Sequence, residues 1–234
     1  MRKVILQLVL QEGLGATLIA KLYQRGSVEG LLQLSHLSCE DIAKTYDIPF
    51  AKAQLIQDAL RSEVAYQHHE AWCESQDVEA VLFGEPAYPE LLAHIATPPA
   101  VVWVKGRLPA LHDTLCALVG SRDASHYGRR AVQMIVPALV ERGIITVSGG
   151  ARGIDAFVHE ETIRAGGKTI AVMGCGLAHT YPAEHAPLFQ RIVESGGALI
   201  SPFPPNISPL PGLFPVRNRI IAGLSAATVV PEAD

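Results

Sequence analysis

From Leu115 onward, short apolar runs alternate with amphipathic stretches, and few folds accommodate that alternation. The runs 115–119, 144–147, 169–173, 198–200 and 227–230 carry no charged residue. Such runs suit strands covered on both faces. Between them, about 128–142, 153–165, 183–195 and 216–224 show helical spacing. Strand, helix, strand repeated in this way predicts an α/β domain built on a doubly wound parallel sheet.

Upstream, up to about Gln76, the period is helical: 3–10, 16–24, a Ser38-capped segment to Tyr46, and a long stretch from Pro49. Residues 1–76 therefore read as a small helical domain. Between its first two helices stands Gly13-Leu14-Gly15. Such a turn either simply reverses the chain or directs backbone N–H groups at a phosphate, as helix-hairpin-helix modules do. Residues 77–112 read as a connector with edge strands at 78–83 and 101–104, and the Pro-rich piece from Tyr88-Pro89 to Pro98-Pro99 is expected to lie outside the core. Residues 113–234 form the sheet domain.

The 234 residues leave room for two such units. No apolar run approaches the length of a membrane span, and the start MRKVILQLVLQE turns polar too soon for a secretory signal. A soluble, cytoplasmic chain with no membrane partner is expected. Cys39, Cys73, Cys116 and Cys175 show no metal-ligand spacing and read as reduced, buried residues. Net charge is −4, but residues 1–100 hold 7 Lys/Arg against 13 Asp/Glu and residues 101–234 hold 12 against 10. Any anion site belongs to the second part.

Ligands of open parallel sheets bind beyond the carboxyl ends of the strands. There the first run enters Gly120-Ser121-Arg122, and the second enters Ser148-Gly149-Gly150-Ala151-Arg152-Gly153. Small residues let backbone approach a ligand, the following helix offers free N–H groups, and arginine adds a forked, permanently charged donor. Two such loops at neighbouring strand ends predict an anion cradle. The pattern is neither a Walker A loop nor a dinucleotide fingerprint, so no nucleotide cofactor is expected. Met173-Gly174-Cys175-Gly176-Leu177 ends the third strand, either as part of the same rim or as a plain turn. Phe214 precedes Arg217, Asn218 and Arg219 at the expected start of the last helix, joining a stacking ring to phosphate and base donors.

Other polar groups point to no chemistry. Asp155 and His159 read as a helix cap and a packed histidine. His68-His69 and the acidic residues after them read as a solvated face, and His179, Tyr181 and His185 lack a third ligand for zinc.

The blocks VGSRDASHYG, SGGARGIDAFVH, KTIAVMGCGLAHTYPAEH and FPVRNRIIAGLS, in this order from about Val119 to Ser225, resemble the signature of the DNA-processing protein A (DprA/Smf) family. The resemblance implies a Rossmann-like domain preceded by a small helical (helix-hairpin-helix or SAM-like) domain. It also implies single-stranded DNA binding without catalysis, and loading of the recombinase RecA in natural transformation. Gly120, Ser121, Arg122, Ser148, Gly149, Gly150, Arg152, Gly153, Phe214, Arg217, Asn218 and Arg219 would line the DNA path. The sequence departs from the family at Pro202, where a glutamate is common, and at Pro231. The family's further sheet half is absent after Asp234, so the sheet domain reads as incomplete and the family's homodimer is not expected. Two other readings are a nucleotide phosphoribohydrolase, whose PGGxGTxxE block the sequence lacks, and a fragment that only docks RecA.

Overall fold

The computed structural model describes residues 1–25, 31, 33–109 and 113–233, with the backbone alone for 23–25. The expected boundary at 112 and the final Asp234 fall outside these residues. The chain divides into two compact units, Met1–Gln76 with Ala96–Val101, and Asp77–Ile95 with Val102–Asp234.

The first unit contains α1 (Arg2–Leu10), α2 (Ala16–Arg25), α3 (Cys39–Tyr46), α4 (Phe50–Arg61) and α5 (Val64–Gln76). Their apolar stripes meet around Leu8, Leu22, Ile42 and Ile56. Ser38 caps α3, its Oγ accepting from the Asp41 N–H at 3.1 Å. At Gly13, φ is +85°, a conformation glycine adopts without strain, and Leu14 beside it is buried in the helical core. The stretch from Pro49 does not form one helix: α4 ends at Arg61, where Gln7 of α1 donates its amide to the carbonyls of Leu60 and Ser62 at 3.4 and 2.9 Å. Those carbonyls have lost their helical donors, and Gln7 replaces them. His69 is buried where a solvated face was expected, because α5 packs on α1 and holds His69 and Cys73 one turn apart, Nε2 to Sγ 3.4 Å.

The second unit is built on a seven-stranded sheet of order β1-β2-β6-β5-β4-β3-β7, with β1 Val78–Leu82, β2 Val101–Gly106, β3 Leu115–Leu118, β4 Ile145–Ser148, β5 Thr169–Val172, β6 Ala198–Ser201 and β7 Ala227–Val229. Five strands, β6-β5-β4-β3-β7, run parallel, whereas β2 lies antiparallel to β6 through pairs such as Trp103 with Ser201. The sheet is thus mostly parallel, with β2 joining it antiparallel at β6. Helices α7 (His126–Val140), α8 (Ile154–Arg164) and α9 (Ala186–Glu194) are joined by α10 (Leu213–Gly223).

Successive strand residues face opposite sides. Leu115 and Ala117 join a core with Ile220 and Ile221 of α10 and Leu224 just beyond it, while Cys116 and Leu118 join Val132 and Val136 of α7 and Val158 of α8. The Pro-rich piece is not outside the core. Tyr88 and Leu92, the latter in the one-turn helix α6 (Glu90–Ala93), are buried in the α10-side core. The close approach is fixed by Gly223, where a methyl group would lie 2.7 Å from Ile95 Cγ2 and 3.2 Å from Leu92 Cδ1. The prolines delimit this turn without removing it from the sheet's covering layer. All four cysteines are buried and unpaired. No helix among the described residues is long and apolar enough to cross a membrane.

Candidate nucleic-acid interface

Three loops leave the carboxyl ends of β3, β4 and β5 and meet the first half of α10. After β4, Gly150 has φ +66° and Gly153 has φ +74°, so the loop turns twice through the region that side chains avoid. Asp155, in the first turn of α8, does not cap its own helix. Its Oδ2 accepts from the backbone N–H groups of Gly149 at 3.1 Å and Ala151 at 3.3 Å, binding the loop from inside.

Arg217 completes that support. The helix that carries it begins at Leu213, not near Val216, so Arg217 lies in the second turn and points inward. It is 3% exposed, and Nη1 donates to the carbonyls of Gly149 and Val172, joining the ends of β4 and β5. The expected phosphate donor is therefore the floor of the site. Burial pushes the Asp155 carboxyl up from its ordinary range, against the opposing pull of Arg217, and burial pushes the Arg217 guanidinium down, against Asp155. The two stabilise each other where neither would be tolerated alone.

The glycines serve close packing of protein on protein. A methyl group at Gly153 would stand 2.3 Å from the Ser121 carbonyl oxygen, and one at Gly149 would stand 2.6 Å from Asp155 Oδ2. At Gly120 it would meet the Glu232 carbonyl oxygen at 2.4 Å. Glu232 fastens the β3 loop twice: its carbonyl accepts from Ser121 N–H at 3.0 Å and its Oε2 accepts from Ser125 N–H at 2.8 Å. The Ser121 carbonyl accepts in turn from Ile154 N–H at 3.1 Å, tying the β3 and β4 loops together. Ser148, fully buried, donates to the Leu118 carbonyl at 2.6 Å.

What these supports present outward is the candidate interface. Arg122 is exposed, and its guanidinium carbon lies 5.9 Å from the centre of the Phe214 ring. Among the described residues no carboxylate pairs with it. Phe214 rests on Gly174, where a methyl group would come within 2.6 Å of the ring, so the β5 loop does belong to the rim. Tyr181, exposed and set aside in the sequence, lies 5.4 Å from Phe214 between ring centres. Its signal in the sequence was only its place, four residues after the β5 glycine loop. Asn218 is exposed with its Oδ1 accepting from Arg217 Nε at 3.2 Å, and Arg219 is half-buried. Arg152 is exposed and paired with Glu184, Nε to Oε1 2.6 Å. His185 donates its Nδ1 proton to the Gly150 carbonyl at 2.9 Å. Among the described residues no protein acceptor meets the N–H of Gly150, Arg152 or Gly153.

His159 takes no part in the rim. It is fully buried, with Nδ1 2.8 Å from Thr169 Oγ1, and Thr169 continues into Thr146 and Thr162 at 2.7 and 2.8 Å from Thr146 Oγ1. Burial first, then His185 and Arg217, push its pKa down to about 3. No cluster of three metal-ligating side chains occurs among the described residues.

A family model described as DNA recombination-mediator protein A matches residues 79–234. Protein Smf of Escherichia coli strain K12 is 41% identical over 162 residues, which are 69% of this chain and 43% of that protein. The chain thus spans less than half of that relative's length. The X-ray structure of DNA processing protein A from Streptococcus pneumoniae is similar with TM-score 0.69 and 30% identity, covering 92% of this chain and 77% of that one. The structure of DNA processing protein A from Helicobacter pylori, described for its single-stranded DNA binding mode, gives TM-score 0.58 and 25% identity, covering 67% of this chain and 70% of that one.

Proposed function

Since the chain belongs to the DNA recombination-mediator protein A family, also called DprA/Smf, we propose that it binds single-stranded DNA across the carboxyl ends of β3, β4 and β5. The observation that carries this reading is the joint presentation of the unpaired Arg122 guanidinium, the Phe214 and Tyr181 rings, and the open N–H groups of the β4 loop. Phosphates accept from charged and backbone donors while bases stack on aromatic faces, without regard to sequence. Arg122, Arg152, Gly150, Gly153, Phe214, Asn218 and Arg219 then face the strand. Gly120, Ser121, Ser148, Gly149 and Arg217 hold the loops that present them.

The reading is of a binding module without catalysis, because Asp155 and His159, the acid and base one helical turn apart, are buried beneath the loop. The strand it holds is destined, on the family resemblance, for a RecA recombinase in the cytoplasm during transformation and recombination. Fluorescence anisotropy of labelled oligo-dT at two salt concentrations, with a duplex control, tests the DNA reading. Salt-sensitive binding that prefers the single strand supports it; a salt-independent signal, or release of free base from nucleoside monophosphates, would replace it.

A further inference from the structure

The Arg152–Glu184 pair stands at the edge of the β4 loop, and its geometry has an unusual feature. Both Nε and Nη2 of Arg152 address the same carboxylate oxygen, Glu184 Oε1, as they would address one oxygen of a phosphate. The side chains are 68% and 50% exposed, and ion pairs so open to water contribute little to stability. Nor is the pair needed to fix the turn that carries Glu184, since the next residue already ties it down through the His185 bond to the Gly150 carbonyl. What the carboxylate does do is neutralise the arginine nearest the open N–H groups of Gly150, Arg152 and Gly153.

We propose that Glu184 is a specificity residue, a built-in anion that occupies the phosphate position at Arg152 and that only a multiply bound polyanion displaces. This rests on the preceding reading of the site. A tethered carboxylate competes at an effective concentration on the order of millimolar or higher. A free phosphate or mononucleotide gains nothing elsewhere and loses that competition. A strand already held at Arg122 and Phe214 delivers its next phosphate at a comparable effective concentration and wins. The pair therefore separates strands from the phosphate and nucleotides that surround them. The Glu184 carboxyl is held below the usual range by its own backbone N–H and then by Arg152.

The test uses the full chain with Glu184→Gln, and inorganic phosphate and labelled oligo-dT as probes at constant ionic strength. The glutamine variant should show a phosphate-dependent rise in melting temperature that the parent lacks. It should bind oligo-dT several-fold tighter and lose it at several-fold lower phosphate. In an Arg152→Ala background the same replacement should change none of these. A Glu184→Gln protein that melts like the parent yet binds oligo-dT equally or more weakly, with no phosphate response, overturns the proposal while leaving DNA binding intact. A phosphate response gained without any oligo-dT binding supports the carboxylate's role and removes the DNA reading instead. Glu184→Ala repeats the test should the glutamine variant fold poorly.

Discussion

Two arginines expected in the same role have been divided between two jobs, and burial tells them apart. Arg122 reaches solvent, so Arg122→Ala should weaken binding of all sequences alike and lower the log–log salt slope by roughly 0.7, the share of one phosphate on a single strand, as titrations at several salt concentrations would read. Arg217 reaches carbonyls. Arg217→Ala leaves Gly149 O and Val172 O without donors and Asp155 without its counter-charge, and should cost about 3–5 kcal/mol in urea unfolding. Sequence spacing gave both arginines the same role, because it reads neighbours along the chain and not which side of α10 faces the sheet. His159 carries the acid response. Its folded pKa lies near 3 against the ordinary 6.5, so the unfolded chain takes up a proton the folded one refuses. The stability it leaves intact above 6.5 should fall by about 1.4 kcal/mol per pH unit toward 3. Unfolding curves at pH 7 and 4.5 should show this loss, and His159→Gln should flatten it.

At the scale of elements, the alternation of apolar runs was legible because each parallel strand is covered on both faces and admits no charge. The strands at 115–119, 144–147 and 169–173 recur as β3, β4 and β5 within a residue of their expected ends. The one-turn helix α6 was not legible, since prolines mark a turn without saying what packs beneath it. Leu92→Ala tests its membership of the core: a cavity there should cost about 2–5 kcal/mol, whereas a residue in a mere connector would cost almost nothing. The loops were legible as glycine-rich but not in purpose. Glycine admits a ligand and a neighbouring loop equally well, and here the space at Gly120, Gly149 and Gly153 is filled by protein. The proposed anion site lies beside the glycines, on the groups their packing turns outward.

For the whole molecule, a net charge of −4 sets a limit on how a polyanion is drawn in. Long-range attraction is weak for such a chain, and on the proposed reading the contacts that hold the strand are those at the rim. Stopped-flow measurements with oligo-dT should therefore find salt acting mainly on dissociation, with the association rate nearly unchanged. A further consequence comes from Glu232, whose carboxylate closes on Ser125 from 107 positions away. A ribosome makes the β3 loop early and its fastener late. The Ser125 N–H finds its acceptor only once the segment at residue 232 has folded back, so order in the loop beside Arg122 waits on a contact that spans 107 positions.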